Sequence, residues 1–304
     1  DLIYHPGTSF QWLIGISLVL AYALAGQTSF MLDVASRPEF YAQSTGIVLT
    51  VLYIGVLAWA AWRMYRHWGL WPALLFQLLL LWGLPVLAAG RHLLWPESLV
   101  LTSAIAALAL LAPQLVSQQP DHARIQAMGL GLISAIGLTA KVTFAPVILV
   151  VIFLIGWRRL VWFFAPLVLS AAILLLPVYS RLDSMQSWFV NITTNPGRHG
   201  QQTTWDPLGN FANSMLLLNA TVRWFIPVAL GIVLLSVIVF VRQARARRFH
   251  KWLPLLTLLA AILLVLASGI KDSETRDFLL TIPLLATLAA ITLRRWLSTT
   301  HADA

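Results

Sequence analysis

The side chains that could do chemistry lie in five short polar clusters, which are separated by long apolar runs. The first cluster, DLIYHPGT at the start of the chain, holds Asp1 and His5. A carboxylate and an imidazole near a membrane surface can act as a general base and a metal ligand. The alternative is a plain turn in which Thr8 or Ser9 caps the helix that follows.

Two further clusters carry side chains that suit a phosphate. Arg91 and His92 combine a bidentate guanidinium fork with a proton donor. Against this interpretation, Pro96 and Glu97 just after them are typical of an ordinary first helical turn. Lys141 stands between two short apolar segments, where it either reaches the membrane surface or holds an anion.

The last two clusters are a polar loop and a charged turn. The loop NITTNPGRHGQQTTWD contains Arg198 and His199, and its amides, hydroxyls and aromatic ring suit a sugar, although the same composition is typical of any loop. The turn KDSETRD contains Lys271 and Arg276 and is more highly charged than a short loop needs, although internal pairing would also explain it. Arg276 is the strongest single candidate for a phosphate ligand because it stands at the start of an apolar run, where a lipid headgroup would lie.

The composition places these clusters in a membrane protein. The chain has 304 residues, of which 59% are hydrophobic and 10% charged, whereas a soluble domain has roughly 25% charged residues. Its apolar runs are continuous and Leu-rich, which favours helices over a β-barrel. The net charge of +9 is what basic membrane loops produce, so we expect no nucleic-acid partner. The absence of cysteine excludes disulfides and thiolate chemistry.

The sequence therefore predicts an all-α polytopic membrane protein with about nine transmembrane helices and an N-terminal interfacial helix, all within a single domain over residues 1–304. The predicted crossings are 41–63, 69–89, 97–116, 123–139, 142–157, 160–178, 222–242, 252–268 and 277–296. Residues 1–40 form an external loop and the interfacial helix, 41–178 hold six helices, 179–221 form an external loop, and 222–304 hold three helices and a cytoplasmic tail. Two alternatives remain open. The short pair 123–139 and 142–157 could be one broken hairpin, and the segment from Phe10 to Met31 could span.

The distribution of basic residues predicts the orientation. Sorting the loops alternately puts twelve Lys and Arg residues with only Asp121 and Asp303 on one side, and the other side has balanced charges. The basic side is expected to be cytoplasmic, which puts the C-terminus there and the polar clusters outside. We expect a location in a bacterial inner (plasma) membrane. We also expect that the natural N-terminus precedes Asp1, because the chain opens without an initiator Met.

In their order and on one side, these clusters resemble the GT-C superfamily of membrane glycosyltransferases, which use polyprenyl-phosphate sugar donors. The sequence from Asp1 to Thr8 looks like the end of that superfamily's first external loop. The sequence from Gly137 to Thr143 is similar to its Gly/Thr-Lys-Thr helix pair. The segment from Lys271 to Pro283 looks like the motif that opens its late helix, with Asp277 where Tyr commonly follows the Arg. Of the acidic pair in the superfamily's first loop, only Asp1 is present.

The resemblance implies transfer of a sugar from a polyprenyl-phosphate-linked donor to a glycan, lipid or protein acceptor at the outer membrane face. It implies catalytic roles for Asp1 and His5, and a divalent metal ion (Mg or Mn) at Asp1. It also implies a substrate-binding set, namely Arg91, His92, Lys141, Arg198, His199, Lys271 and Arg276. The alternatives are a lipid-linked sugar translocator and a non-catalytic subunit of a complex with other membrane proteins. Membrane lipids are expected partners in every case.

Overall fold

The computed structural model describes residues 7–82, 96–116, 122–181, 186–187, 190, 206–244, 252–268 and 278–300. Within these residues the regular structure is helical throughout, without a strand. The helices are α1 Thr8–Ala25, α2 Phe30–Ser36, α3 Pro38–Trp68, α4 Leu70–Trp82, α5 Pro96–Leu110, α6 Ala112–Leu115, α7 Ala123–Ala140, α8 Ala145–Ile155, α9 Leu160–Leu175, α10 Pro207–Thr221, α11 Phe225–Ala244, α12 Leu253–Ser268 and α13 Thr281–Thr300. Short 3-10 helices at Val142–Phe144, Trp157–Arg159 and Leu176–Arg181 flank α8 and α9.

The protein is an all-α polytopic membrane protein, as predicted, and each of the nine predicted crossings overlaps a helix in the described residues. In the described part of the chain, four helices are long and apolar enough to span a bilayer, and a fifth qualifies if the bent pair α10 and α11 counts as one span. The four are Thr8–Ala25, Pro38–Trp68, Ala123–Ala140 and Trp157–Tyr179. Four further described apolar helices are shorter, including α4 and α5.

The exposed surface of α9 is apolar, as expected for a helix that is surrounded by lipid. Phe163 is its one buried residue, whereas Val161, Val168 and Leu169 are more than half exposed. Apolar exposure of this extent is unfavourable in water and neutral in lipid. The helix therefore presents most of its surface to hydrocarbon.

Hydrogen bonds at the last turn of α5 show the directions of the neighbouring helices α3 and α7. Arg63 near the end of α3 donates to the carbonyl oxygens of Ala109 at 3.1 Å and Leu110 at 3.5 Å. Gln126 in the first turn of α7 also donates to Leu110. These donors satisfy carbonyls that lose their helical partners where α5 ends. The last turns of α3 and α5 and the first turn of α7 thus share one end of the bundle, which we call the Arg63 end; the opposite end is the Lys141 end.

Helix α1 begins and ends at the Lys141 end. Its first turn contacts the last turn of α7, since Ser9 donates to the carbonyl oxygen of Ile136 at 2.9 Å. Its last residue, Ala25, accepts a hydrogen bond at 2.9 Å from Arg37, which directly precedes α3. Length and composition would allow α1 to cross, but both of its ends lie on the same side of the bundle. This arrangement is the one predicted for the interfacial helix.

The predicted external loop at 179–221 is wrong in its second part, because α10 occupies Pro207–Thr221. The sequence carries a start signal that was missed: Asp206 accepts a hydrogen bond from the Gly209 amide at 2.9 Å, and Pro207 takes the first helical position. A bend of 100° separates α10 from α11. It is made by Trp224, whose backbone φ is +65°, and by the Asn219 side chain, which accepts from the Ile226 amide at 3.2 Å.

Helices α7 and α9 are in close backbone contact. A Cβ atom built on Gly131 would overlap the carbonyl oxygen of Phe163. Gly129, one half-turn away in α7, would meet only the Leu110 side chain, at 3.5 Å. Backbone contact at Gly131 is the small-residue packing that holds helices together in lipid.

Replacement of Gly131 by Ala should therefore destabilise the protein, by about 1–3 kcal/mol, because α9 must move away from α7. The matched change Gly129→Ala meets ordinary van der Waals contact and should leave stability unchanged or slightly raised. Thermal unfolding followed by intrinsic tryptophan fluorescence compares the two variants. Equal melting temperatures for both would contradict the close α7–α9 contact.

Candidate functional site

A buried ion pair joins two helix ends at the Lys141 end of the bundle. The ammonium nitrogen of Lys141 lies 3.0 Å from Oε1 of Glu97, and the two side chains are 15% and 9% exposed. Lys141 follows the last residue of α7, and Glu97 lies in the first turn of α5. The pair spans 44 positions of sequence. It is the feature of the described structure that most resembles a built charged site.

The local sequence explains why the lysine stands where it does. Helix α7 ends at Ala140, where Lys141 adopts an extended backbone and its amide donates to the carbonyl oxygen of Gly137 at 3.0 Å. Phe144 packs against Gly137, so a Cβ there would overlap the aromatic ring. Pro146 then lies in the first turn of α8. The packing of Phe144 on Gly137 and the position of Pro146 thus fix the turn between α7 and α8. This turn leaves Lys141 at the C-terminal end of α7.

Both charges also suit the helices that carry them. A cation at a helix C-terminus and an anion at a helix N-terminus each interact favourably with the helix dipole. Lys141 and Glu97 occupy those two positions. The ion pair therefore couples the negative end of α7 to the positive end of α5 and holds the helices in antiparallel register.

The start of α1 packs against the same place. A Cβ on Gly7 would lie 3.3 Å from the Pro96 side chain and 3.7 Å from the carbonyl oxygen of Ala140. The Thr8 hydroxyl reaches the carbonyl oxygen of Thr139 at 3.5 Å. The interpretation of Thr8 or Ser9 as a cap for α1 is wrong, because both hydroxyls bond to α7. Three of the sequence clusters thus meet here through Gly7, Glu97 and Lys141.

A second buried carboxylate, Asp33, is held by an ion pair with Arg37 and by further hydrogen bonds. Oδ2 accepts from Arg37 and from the Tyr41 hydroxyl. Oδ1 accepts from the Gln27 amide at 3.3 Å and from the Thr28 hydroxyl at 3.4 Å. With both oxygens engaged, Asp33 fixes the junction of α1, α2 and α3 and is poorly suited to act as a base. The hydrogen bonds from Tyr41 and then Arg37 lower the pKa of Asp33, against an opposing effect of burial.

Most of the residues predicted for the site lie outside the described part of the chain. Lys141 is within it, and the structure pairs it with Glu97. The predicted residues outside it are Asp1, His5, Arg91, His92, Arg198, His199, Lys271 and Arg276. Their roles stay predictions. The described residues of the first cluster are Gly7 and Thr8, and Gly7 lies beside the Glu97–Lys141 pair.

Sequence reasoning missed Glu97 as a member of the site. Pro-Glu at the start of a helix is common for local reasons, so the carboxylate carried no signal of its own. What distinguishes it is burial against a lysine that is distant in sequence. The sequence did contain one indication of the pair: an acid stands at the end of one apolar segment, and a lysine stands at the end of another on the same predicted side.

The described residues do not provide a metal site. Within them there is no group of three or more His, Cys, Asp or Glu side chains that could hold a metal ion. The two buried carboxylates, Asp33 and Glu97, are engaged by hydrogen bonds and by Lys141. The expected Mg or Mn ion therefore rests on Asp1 alone, outside the described range, and stays a prediction.

Fold and site together define an all-α polytopic membrane protein in which helix α1 packs beside a charged pair at one end of the helix bundle. The fold is similar to that of part of ArnT from Cupriavidus metallidurans. The apo crystal structure of ArnT superposes with a TM-score of 0.55 and 14% sequence identity over 95% of this chain. The crystal structure of ArnT bound to undecaprenyl phosphate superposes with a TM-score of 0.57 and 15% identity over 94% of this chain.

The chain spans about half of the ArnT polypeptide, since each superposition covers 51% of it. No protein-family model matches the sequence, and no curated relative does. The resemblance stated from the sequence is confirmed at the level of the fold. At this sequence identity the comparison carries architecture, and activity has to be argued from the site.

Acidification should weaken the α1–α2–α3 junction. Because the pKa of folded Asp33 is below its usual value, its charge stabilises the protein above about pH 4 and that contribution is lost as pH falls further. Asp33→Asn should therefore lower the melting temperature at pH 7, and the difference from the native chain should shrink below pH ~4. Glu39→Gln is the control, since Glu39 is exposed in the same region. A difference that stays constant with pH would contradict the role of the charge.

The Glu97–Lys141 pair should show strong energetic coupling. Removing one member of a buried pair leaves the other charge uncompensated, at a cost of roughly 3 kcal/mol or more. Glu97→Gln and Lys141→Met should each destabilise the protein, and the double variant should lose much less than the sum of the two. A double-mutant cycle of melting temperatures and unfolding free energies measures this. Additive losses would mean that the two groups do not interact.

Proposed function

We propose that this chain carries the lipid-phosphate site of a GT-C type glycosyltransferase, which transfers a sugar from a polyprenyl-phosphate-linked donor to an acceptor at the Lys141 end. The observation that supports the proposal most is the buried Glu97–Lys141 pair beside the start of the interfacial helix. A fold shared with ArnT, a protein crystallised with undecaprenyl phosphate, supports a lipid phosphate as the ligand.

Lys141 is suited to the phosphate because of where its charge lies. The ammonium group stands at the end of a helix that is long enough to span the bilayer. The end of such a span is where the phosphate of a lipid headgroup lies. Glu97 holds the lysine side chain in one place, so its positive charge is oriented before the donor arrives. In this role Glu97 is a positioning residue.

The proposed reaction is a displacement at the anomeric carbon of the donor sugar. An acceptor hydroxyl forms the new bond to that carbon, the bond from carbon to phosphate oxygen breaks, and polyprenyl phosphate leaves. The acceptor proton passes to a base, for which Asp1 and His5 are the candidates. Lys141 stabilises the negative charge that develops on the leaving phosphate. The remaining candidates for this phosphate are Arg91, His92, Lys271 and Arg276, with Arg198 and His199 at the sugar.

The face of the membrane follows from the basic residues. Arg63, Arg66, Arg124 and Arg158 belong to the Arg63 end, which by the charge rule is cytoplasmic. The proposed reaction then takes place at the external face, in the periplasm if the host membrane is a bacterial inner membrane.

Transfer activity should depend on the charge of Lys141. In proteoliposomes supplied with a polyprenyl-phosphate sugar, Lys141→Met should reduce transfer by about 100-fold or more, since a charge aimed at the leaving group is lost. Lys141→Arg should retain more activity, and Arg66→Gln at the opposite end should retain all of it. The release of radiolabelled sugar from the lipid measures each rate.

Two controls separate chemistry from folding. The double variant Glu97→Gln with Lys141→Met removes both buried charges, so it should be stable and still inactive. Full transfer by folded Lys141→Met protein would overturn the proposed site. Movement of the lipid-linked sugar across vesicles without any transfer by the native chain would replace the enzyme proposal with a translocator.

A further inference from the structure

Arginine side chains lie over tryptophan rings at the Arg63 end. The guanidinium carbon is 5.8 Å from the ring centroid in the pairs Arg63–Trp59 and Arg66–Trp62, both within α3. It is 5.5 Å from the ring in the adjacent pair Arg158–Trp157. A fourth pair joins two helices: Arg124 from the first turn of α7 lies 5.4 Å from the ring of Trp162 in α9.

The fourth pair belongs to a denser group, which we call the Arg124 junction. It consists of Arg124, Trp157, Arg158, Arg159 and Trp162. The 3-10 helix Trp157–Arg159 packs against α7 as well as leading into α9. The guanidinium groups of Arg124 and Arg158 therefore lie over rings beside the crossing of α7 and α9, whose backbones approach closely at Gly131.

The described carboxylates all lie away from this junction. Asp33 and Glu97 form the two ion pairs of the described structure, at the Lys141 end. Glu39 belongs to the first turn of α3, which begins at that same end. Asp206 caps α10, which leads into α11. Helix α11 begins against the last turn of α4, where the rings of Phe225 and Trp82 stack. Within the described residues, the charge of the junction is not balanced by acids.

The chemistry of the junction fits a phosphate that belongs to a lipid. A guanidinium stacked on a ring keeps its N–H donors at its edge, where they match the oxygens of a phosphodiester. Trp157 is 77% exposed and Trp162 is 41% exposed, and α9 turns most of its surface to hydrocarbon. An amphipathic ring beside an arginine at the boundary of the bilayer suits a ligand that has both a phosphate and acyl chains.

We propose that the Arg124 junction is a binding site for the headgroup of an anionic phospholipid, of the phosphatidylglycerol class, in the leaflet at the Arg63 end. The site lies at the opposite end of the bundle from Lys141. It takes no direct part in the proposed transfer of sugar. Its occupant stabilises the α7–α9 crossing, to which Lys141 is attached at the far end of α7.

Native mass spectrometry of the purified chain tests the site with two defined lipids. Phosphatidylglycerol should bind at one tight site, and phosphatidylcholine, which has no net charge, should bind there more weakly. The double variant Arg124→Gln with Arg158→Gln should lose affinity for phosphatidylglycerol by about fivefold per arginine, or about 25-fold in all. Arg66→Gln, which removes an Arg–Trp pair within one helix, should leave the tight site unchanged.

Two further measurements keep the outcome decisive. Trp162→Leu preserves the charges and should weaken phosphatidylglycerol binding, but less than the double variant does. This variant tests the site even if the double variant fails to fold. Glycerol phosphate without acyl chains should not displace the lipid; displacement by it would mean a site for a soluble phosphate instead. Equal binding of the two lipids, or equal phosphatidylglycerol binding by the native chain and the folded double variant, would overturn the proposal.

Discussion

The ion pair between Glu97 and Lys141 is the constraint around which the described structure is arranged. It joins the N-terminal end of α5 to the C-terminal end of α7, and both charges also oppose the partial charges of their helix ends. Two charges in an apolar environment are costly unless they are paired. Because each has its partner on a different helix, the register of α5 against α7 is set where the pair forms. The start of α1 then has a fixed surface on which to pack.

Helix α7 transmits this constraint through the molecule. It contacts α5 through Gln126 at one end and through the ion pair at the other. Its backbone approaches α9 at Gly131, and its last turn receives the hydroxyls of α1. The two ends differ in chemistry, since the described carboxylates gather near Lys141 and the arginine–tryptophan pairs gather near Arg63. This difference separates the proposed site of sugar transfer from the proposed site for anionic lipid.

The sequence was sufficient to predict the class of fold, because continuous apolar runs in lipid have few solutions other than helices. Each of the nine predicted segments contains a helix in the described part of the chain, and the interfacial position of α1 was predicted from the pattern of the resembling family. Helix α10 escaped prediction because its Asn-rich sequence resembles a loop, although Asp206 and Pro207 marked its start. The 100° bend after α10 depends on the positive φ of Trp224, which no local sequence pattern predicts.

The site was less accessible to sequence reasoning for a different reason. Lys141 could be singled out because a lysine between apolar segments is unusual. Glu97 could not, because a carboxylate in a first helical turn has an ordinary local explanation, and only the tertiary structure buries it. Asp33 shows the converse, since an acid in a charged loop proves to be a buried hydrogen-bonded anchor. The local sequence identifies the charged residues, but only the tertiary structure shows which of them are buried and paired.

The central claim is that the Lys141 end binds the phosphate of a polyprenyl lipid. An experimental structure of the chain with polyprenyl phosphate, determined in a lipid nanodisc, tests it most directly. The account predicts phosphate density within hydrogen-bonding distance of the Lys141 ammonium group, about 3 Å, with Glu97 still beside it. A lipid phosphate bound only at the Arg63 end, with the Glu97–Lys141 pair closed and remote from it, would contradict the account.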